Sequence, residues 1–163
     1  MSDFDSARFR QVLGHFPTGV TVVTGMDGDR PVGLTIGSFT SVSLDPPLVG
    51  FLPMVTSASW QAMRETGRFC VNVLGDTHGD LCWKFAKSSA DVDAFDGLGW
   101  SSSPTGSPII DGVIAWIDCT VEATYEMGDH LFVLGRVHAM DARDDDPTPL
   151  LFYRGKLGGF HLI

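Results

Sequence analysis

The stretch LTIGSFTSVSLDPP (residues 34–47) sets five hydroxyls, on Thr35, Ser38, Thr40, Ser41 and Ser43, around Gly37. A hydroxyl both donates and accepts hydrogen bonds, so a strand carrying hydroxyls on both faces can meet the edge of a flat polar ring. The same residues also suit a half-solvated strand. Further on, VTSASW (55–60) puts Ser57 and Ser59 at the start of a predicted helix. Unpaired N–H groups and the helix dipole favour an anion such as phosphate there. Capping alone requires Ser57 but leaves Thr56 and Ser59 over. KFAKSS (84–89) brings Lys84 and Lys87 to a helix C-terminus. Dipole pairing explains them as well as a ligand does, and stabilises by ~0.3–1 kcal/mol. FYRGKLGGF (152–160) gathers Tyr153, Arg154, Gly155 and Lys156 beside glycines that admit a close ligand, or that form a tight turn before a terminal strand. In MGDHLFVLG (127–135), Gly128-Asp129 reads as a hairpin turn, which does not need the His130 that follows it.

Other chemistry is missing from the pattern. There is no G-x-S-x-G, no H-E-x-x-H, no P-loop and no G-x-G-x-x-G after a strand. The remaining histidines, His15, His78, His138 and His161, lack ligand spacing, and no metal site is expected. Cys70, Cys82 and Cys119 form no CxxC and lie among apolar residues, which reads as buried thiols in a reducing cytoplasm. The net charge of −9, with 11 Lys and Arg scattered along the chain, argues against a nucleic-acid partner. No apolar run approaches the ~20 residues of a membrane helix. MSDFDSARFR has no apolar core of a secretory signal.

These residues need a scaffold, and 163 residues with 44% hydrophobic content suggest one globular domain over 1–163. Phe9, Val12, Leu13 and Phe16 recur at i, i+3, i+4, i+7 and predict a helix over 4–14, with Ser2 or Asp3 near its cap. GVTVVTG and RPVGLTIG flank MDGD as a hairpin, and SFTSVSL, LVGFL and FCVNVL follow as strands. Two short helices are expected, in SASWQAMRET and in THGDLCWKFAK, where Thr77 and Asp80 have capping-box spacing. From Ile117 to Met127 odd positions are apolar and even ones polar, so one face should be buried; a second strand runs over about 130–140. SSSPTGSP (101–108) and DARDDDPTP (141–149) read as exposed loops. About seven strands and three helices, mostly antiparallel, suggest a mainly β fold: a small Greek-key-like antiparallel barrel with short helices.

Taken in order, FPTGVTVVT, PVGLTIGSFTSVSLDPPLV, TSASW, GRFCVNVL, GSPIIDG, AWIDCTVE, GDHLFVLGRV and PLLFYRGK resemble the short-chain flavin reductases, the reductase components of two-component flavin-dependent monooxygenases. The resemblance runs from about Phe9 to Gly158. It implies a split β-barrel that binds FMN or FAD, usually as a homodimer. NADH or NADPH would be the co-substrate, and a separate oxygenase would receive the reduced flavin. Carried onto these positions, Thr35, Gly37, Ser38, Phe39 and Ser41 would line the isoalloxazine and ribityl chain. Ser57 and Ser59 would hold the phosphate, with Phe85, Ala86 and Lys87 closing over it. Asp129 and His130 would border the nicotinamide, with Tyr153, Arg154, Gly155 and Lys156 nearby. No residue is assigned as an acid or base. The chain departs from the family's pattern at Leu157, where many members carry an aromatic, and at Val55, where a basic residue often precedes the serines. A flavoprotein that keeps its FMN and reduces another substrate, or a non-catalytic flavin-binding module, would share these features.

Overall fold

The computed structural model describes residues 4–87 and 93–163. Its centre is β2 (Thr21–Asp27), whose first five residues are all buried. A strand covered on both faces reads as an unbroken run of small and apolar residues. Val23 points into one hydrophobic cluster and Val22 into the other. Around it an antiparallel sheet of seven strands takes the order β3 (Arg30–Ile36), β2, β6 (Arg68–Val73), β9 (Ala115–Met127), β10 (His130–Ala142), β5 (Pro47–Phe51), β4 (Thr40–Leu44). The edge strands β3 and β4 are consecutive in the chain but do not pair with each other. The barrel is therefore split along that seam.

One cluster fills the inside of the curved sheet, where Phe51 stacks edge-on with Trp60 and Phe69. Helix α2 (Ala58–Met63) closes it with Trp60 and Met63. The other cluster lies outside β2 and is covered by α3 (Gly79–Ala86) and by a hairpin of β7 (Trp100–Ser102) and β8 (Pro108–Ile110). A small third sheet joins β1 (Thr18–Gly19), β11 (Leu151–Tyr153) and β12 (Lys156–Gly158). The described residues thus hold twelve strands, where the sequence pattern indicated about seven.

Several expectations need correction. Helix α1 (Ser6–Leu13) is capped by Asp5, not by an earlier residue, and its apolar stripe of Phe9, Val12, Leu13 and Phe16 faces outward. Thr77 caps nothing: α3 starts after His78, which gives no side-chain cap. Ser38 and Phe39 belong to the connection at the seam, not to a strand. Ser57 does cap α2, and Gly67, at φ 66°, ends the helical turn that follows.

The alternation expected in β9 is interrupted by a bulge: Val121 faces Gly135 and Ala123 faces Leu134, so Glu122 is an extra residue on β9. Cys119 is buried, whereas Tyr125 and Met127 are exposed, as is every residue from Thr124 to the end of the strand. On the other parity Asp118, expected to be solvated, is fully buried. It accepts hydrogen bonds from the Ser103 hydroxyl at 2.7 Å, the Thr105 hydroxyl at 2.6 Å and the Thr105 N–H at 2.9 Å. This is why 101–108 is not an exposed loop: its hydroxyls are the partners a buried carboxylate requires. Asn72 fastens the same hairpin, donating to the carbonyls of Val22 and Pro108 and accepting from Ile110 N–H at 2.8 Å.

The three cysteines are buried and free. Burial and the nearby Asp118 push the Cys119 thiol up to about 12, and Cys70 is raised further by the same causes. Replacing Asp118→Ala leaves donors without partners and should lower unfolding free energy by about 3 kcal/mol. Urea unfolding of the two proteins checks this; a loss below 1 kcal/mol, on the order of a surface change, would contradict the buried network.

Candidate functional site

Gly37, Ser38 and Phe39 join the two unpaired edges, and the seam opens beside them into a cleft of about 790 Å³. The cleft is of ligand-binding size, as such sites span ~300–1,000 Å³. Its first wall is the end of β3 and the connection: Leu34, Thr35, Ile36, Gly37 and Ser38. Thr35 donates its hydroxyl to the Cys82 carbonyl at 2.7 Å, tying α3 to β3 while its oxygen stays able to accept. The Ser38 hydroxyl accepts from the Leu52 N–H at 2.9 Å and lies 3.4 Å from the Leu52 carbonyl, to which it donates. It clasps one end of the seam to the chain leaving β5. Gly37 lets the chain pass close to Thr18: a Cβ there would lie 3.1 Å from the Thr18 hydroxyl, tighter than ordinary contact.

The second wall is the segment from Leu52 to Ser59. Ser57 Oγ accepts from Trp60 N–H at 3.3 Å as the cap of α2, which leaves the Ser57 O–H as a donor. The hydroxyls of Thr56 and Ser59 line the cleft beside it. Three hydroxyl-bearing residues adjacent along the start of α2 make a donor set that suits phosphate. At the far side the end of α3 supplies Phe85 and Ala86. The Phe85 ring packs against Gly33, where a Cβ would come within 2.8 Å of it, and meets Phe95 edge-on at 5.1 Å.

His130 completes the lining. The β9–β10 turn that carries it is laced to the second wall: Leu131 N–H donates to Pro53 O at 2.9 Å, and Val55 N–H to Asp129 O at 3.0 Å. Its Nδ1 lies 2.7 Å from Asp129 Oδ1, and since a carboxylate only accepts, Nδ1 carries the proton in this bond. The bond from His130, helped by its charge and by Arg10, holds the Asp129 carboxyl below its ordinary value. The imidazole is thereby oriented with Nε2 free of that bond.

Thr35, Gly37, Ser38, Ser57, Ser59, Phe85, Ala86 and His130 thus converge on one cleft. Other site residues expected from the sequence stand apart from it. Phe39 packs against the inner cluster, and Ser41 is exposed on β4 opposite Val49. Lys87 follows Ala86 as the residue ending α3, and Asp129 acts behind His130. Tyr153, Arg154 and Lys156 line a second cavity of about 660 Å³, with Gly155 in the β11–β12 turn above it. Sequence reasoning noted Thr56 only as surplus to the cap and did not assign it to the site, and it missed the apolar Leu34, Ile36, Leu52, Pro53, Met54 and Ala58. Apart from the alternation that puts Thr35 between two aliphatic neighbours, their residue types give no chemical signal. Among the described residues no three His, Cys, Asp or Glu side chains cluster to hold a metal ion, and no helix is long and apolar enough to cross a membrane.

An antiparallel barrel left open on one seam, with a hydroxyl-lined cleft at the opening, defines a split β-barrel of nucleotide-binding size. The model of the flavin reductase like domain matches residues 13–161. A flavin reductase of Pseudomonas putida is 51% identical, over 99% of this chain and 94% of its own length. The crystal structure of nitrilotriacetate monooxygenase component B from Mycobacterium thermoresistibile superposes with a TM-score of 0.92 at 46% identity, covering 96% of this chain and 87% of that one. The NADH:FAD oxidoreductase of Streptomyces globisporus superposes at 0.91 with 36% identity, over 99% and 97% of the two chains. The chain belongs to the flavin reductase like family.

Removing the Ser57 hydroxyl takes away one donor from the cleft and weakens the cap of α2. Ser57→Ala should weaken FMN binding by about 0.5–1.5 kcal/mol in a flavin fluorescence titration. Equal affinity in the two proteins would leave Ser57 with its capping role alone.

Proposed function

We propose that this protein is an NAD(P)H-dependent flavin reductase. It takes free flavin, FMN or FAD, into the cleft at the seam, reduces it with NADH or NADPH, and releases it to a separate flavin-dependent oxygenase. The observation that carries this reading is the convergence of the Thr56, Ser57 and Ser59 hydroxyls and the oriented His130 on one cleft in a chain of this family. The residues fit the cofactor: backbone and hydroxyls from Thr35 to Ser38 offer polar edges, and Phe85 with Ala86 offers an apolar wall.

When bound, the flavin accepts a hydride from the reduced nicotinamide, chemistry that belongs to the two cofactors. The chain's own task is to bind and orient both rings and to keep donors near the site of growing negative charge. No acid–base dyad is required. His130 then binds and orients the nicotinamide, steadied by Asp129, and Tyr153, Arg154, Gly155 and Lys156 serve the rest of the nucleotide.

Release of the product explains why the phosphate end relies on hydroxyls, with Val55 before the serines where a cation would hold the flavin more tightly. We place the enzyme in the cytoplasm as a homodimer. Two uncovered apolar surfaces support the dimer: the outward stripe of α1, and the outer sheet face with Val42 at 47% and Tyr125 at 50% exposure. Large contiguous apolar patches on a soluble protein mark association surfaces.

The reading is tested by steady-state oxidation of NADH and NADPH with added FMN and FAD. Turnover should saturate with free flavin; a yellow protein that oxidises neither nucleotide would instead be a storage module. In the same assay His130→Ala should raise the KM for NADH more than it lowers kcat. A collapsed kcat at unchanged KM would assign it to the chemical step. Tyr125→Glu should shift the protein from dimer to monomer in light scattering, and a wild-type monomer would remove the dimer from the account.

A further inference from the structure

Helix α3 walls one side of the cleft, and the turn that starts it is clasped by a histidine whose charge state the geometry fixes. β6 ends at Val73 and α3 begins at Gly79. Between them residues 75–78 form a turn closed from both sides. His78 N–H donates to the Gly75 carbonyl at 3.0 Å. Gly75 N–H donates in return to His78 Nδ1 at 2.9 Å. A backbone N–H only donates, so Nδ1 offers a lone pair and the ring proton sits on Nε2. The clasp therefore exists only with a neutral imidazole. An imidazolium carries N–H on both nitrogens and would set two donors against each other.

The same residue begins the helix: the His78 carbonyl accepts from the Cys82 N–H at 3.0 Å. Two further ties hold the turn to the chain after β10. Asp76 N–H donates to the Thr148 carbonyl at 2.9 Å, and Gly75 bridges to Pro149. From this turn α3 runs to the cleft. Its Cys82 carbonyl accepts from the Thr35 hydroxyl at 2.7 Å, and Phe85 and Ala86 line the cleft from its last turn. An eight-residue helix is a stiff rod of about 12 Å, so a change at its start is carried to those residues.

The surroundings of His78 also oppose a charge. Burial and the Arg143 guanidinium hold its imidazole below the ordinary value, and Asp76 in the same turn only partly offsets them. Arg143 follows β10, pairs with Asp145 and donates to the Gly112 carbonyl at 3.5 Å. Gly112 is also the neighbour of Nε2, which lies 3.8 Å from where a Cβ would stand there. The other acids of these packed segments are Asp80, in the first turn of α3, and Asp111, beside Gly112. With the folded value lowered, the unfolded chain takes up the proton first. The clasp's contribution to stability is full above about pH 6.5 and is lost as pH falls through the folded value.

We propose that His78 is a positioning residue for the cleft: its neutral imidazole clasps the β6–α3 turn, and protonation releases the turn and loosens the wall that Phe85 and Ala86 provide. Flavin is then held near neutral pH and let go on acidification. What the cleft binds rests on the flavin-reductase reading; the clasp itself does not.

The test uses His78→Asn and His78→Ala. Asparagine puts an amide oxygen where Nδ1 stands and accepts from Gly75 at every pH, whereas alanine accepts at none. Hydrogen exchange of the 79–86 amides, corrected for intrinsic rates, is followed in the flavin-free protein from about pH 7.5 to about pH 5.5, on either side of an ordinary histidine. FMN dissociation constants are measured over the same range. On acidification wild type should lose exchange protection and FMN affinity about fivefold more than His78→Asn, the size of one hydrogen bond. His78→Ala should show the acid behaviour already at neutral pH. His130 and the FMN phosphate are the same in wild type and His78→Asn, so the difference between those two isolates His78. Equal exchange profiles in the two overturn the proposal, as do unequal ones that leave the FMN profiles equal. If wild type binds no FMN, the broader reading fails, and exchange alone decides the clasp. It stands if α3 loses protection with acid in wild type but not in His78→Asn, and is rejected otherwise. Should His78→Ala not fold, wild type against His78→Asn decides unaided.

Discussion

The structure depends on a seam that the chain itself keeps open. β3 and β4 are the two edges of the sheet, and only Gly37, Ser38 and Phe39 connect them. The chain turns there and β4 pairs with β5, so the edges never zip together. An open sheet edge is a liability unless something covers it or uses it. Here the Ser38 hydroxyl satisfies the Leu52 N–H across the opening, and α2 and α3 wall the gap from either side. The cleft is what remains. Its contents follow from position: β3 and its connection give polar edges, the start of α2 gives hydroxyls, and the β9–β10 turn gives His130.

The rest of the molecule holds those walls still. Asp118 and Asn72 anchor the β7–β8 hairpin on the outside of β6 and β9 through fully buried hydrogen bonds. That hairpin helps cover the outer cluster that contains Phe85. The Phe85 ring needs the missing side chain of Gly33, and Phe69 needs that of Gly135 in the same way. A network of satisfied buried polar groups rigidifies a core, because every alternative arrangement strands a donor. The cleft thus inherits its shape from residues well outside it.

Much of this was legible in the sequence, for physical reasons. The strand runs, the two capped turns at Ser57 and Gly67, and the Gly128-Asp129 hairpin follow local rules that the structure obeys. So do eight of the expected site residues, which lie on elements whose ends meet at one seam. The misses have specific causes. The bulge at Glu122 adds one residue, and no single-residue preference announces it. Asp118 reads as solvated because its partners lie 13 to 15 positions away. The small β1–β11–β12 sheet holds Tyr153, Arg154 and Lys156 beside a second cavity, a placement that depends on strand pairing with Thr18 and Gly19 far away in the sequence. The aliphatic lining of the cleft carried no signal at all, because its residue types are those of any strand.

The most direct test of the central claim is the FMN dissociation constant of Ser38→Ala beside that of wild type, with urea unfolding of both. Ser38 holds the seam, and its loss leaves the Leu52 N–H without its partner. The account predicts about tenfold weaker FMN binding, while folding stability falls by only about 1–2 kcal/mol. FMN affinity that is unchanged in a folded Ser38→Ala protein would contradict it, since the flavin site would then not depend on how the seam is held.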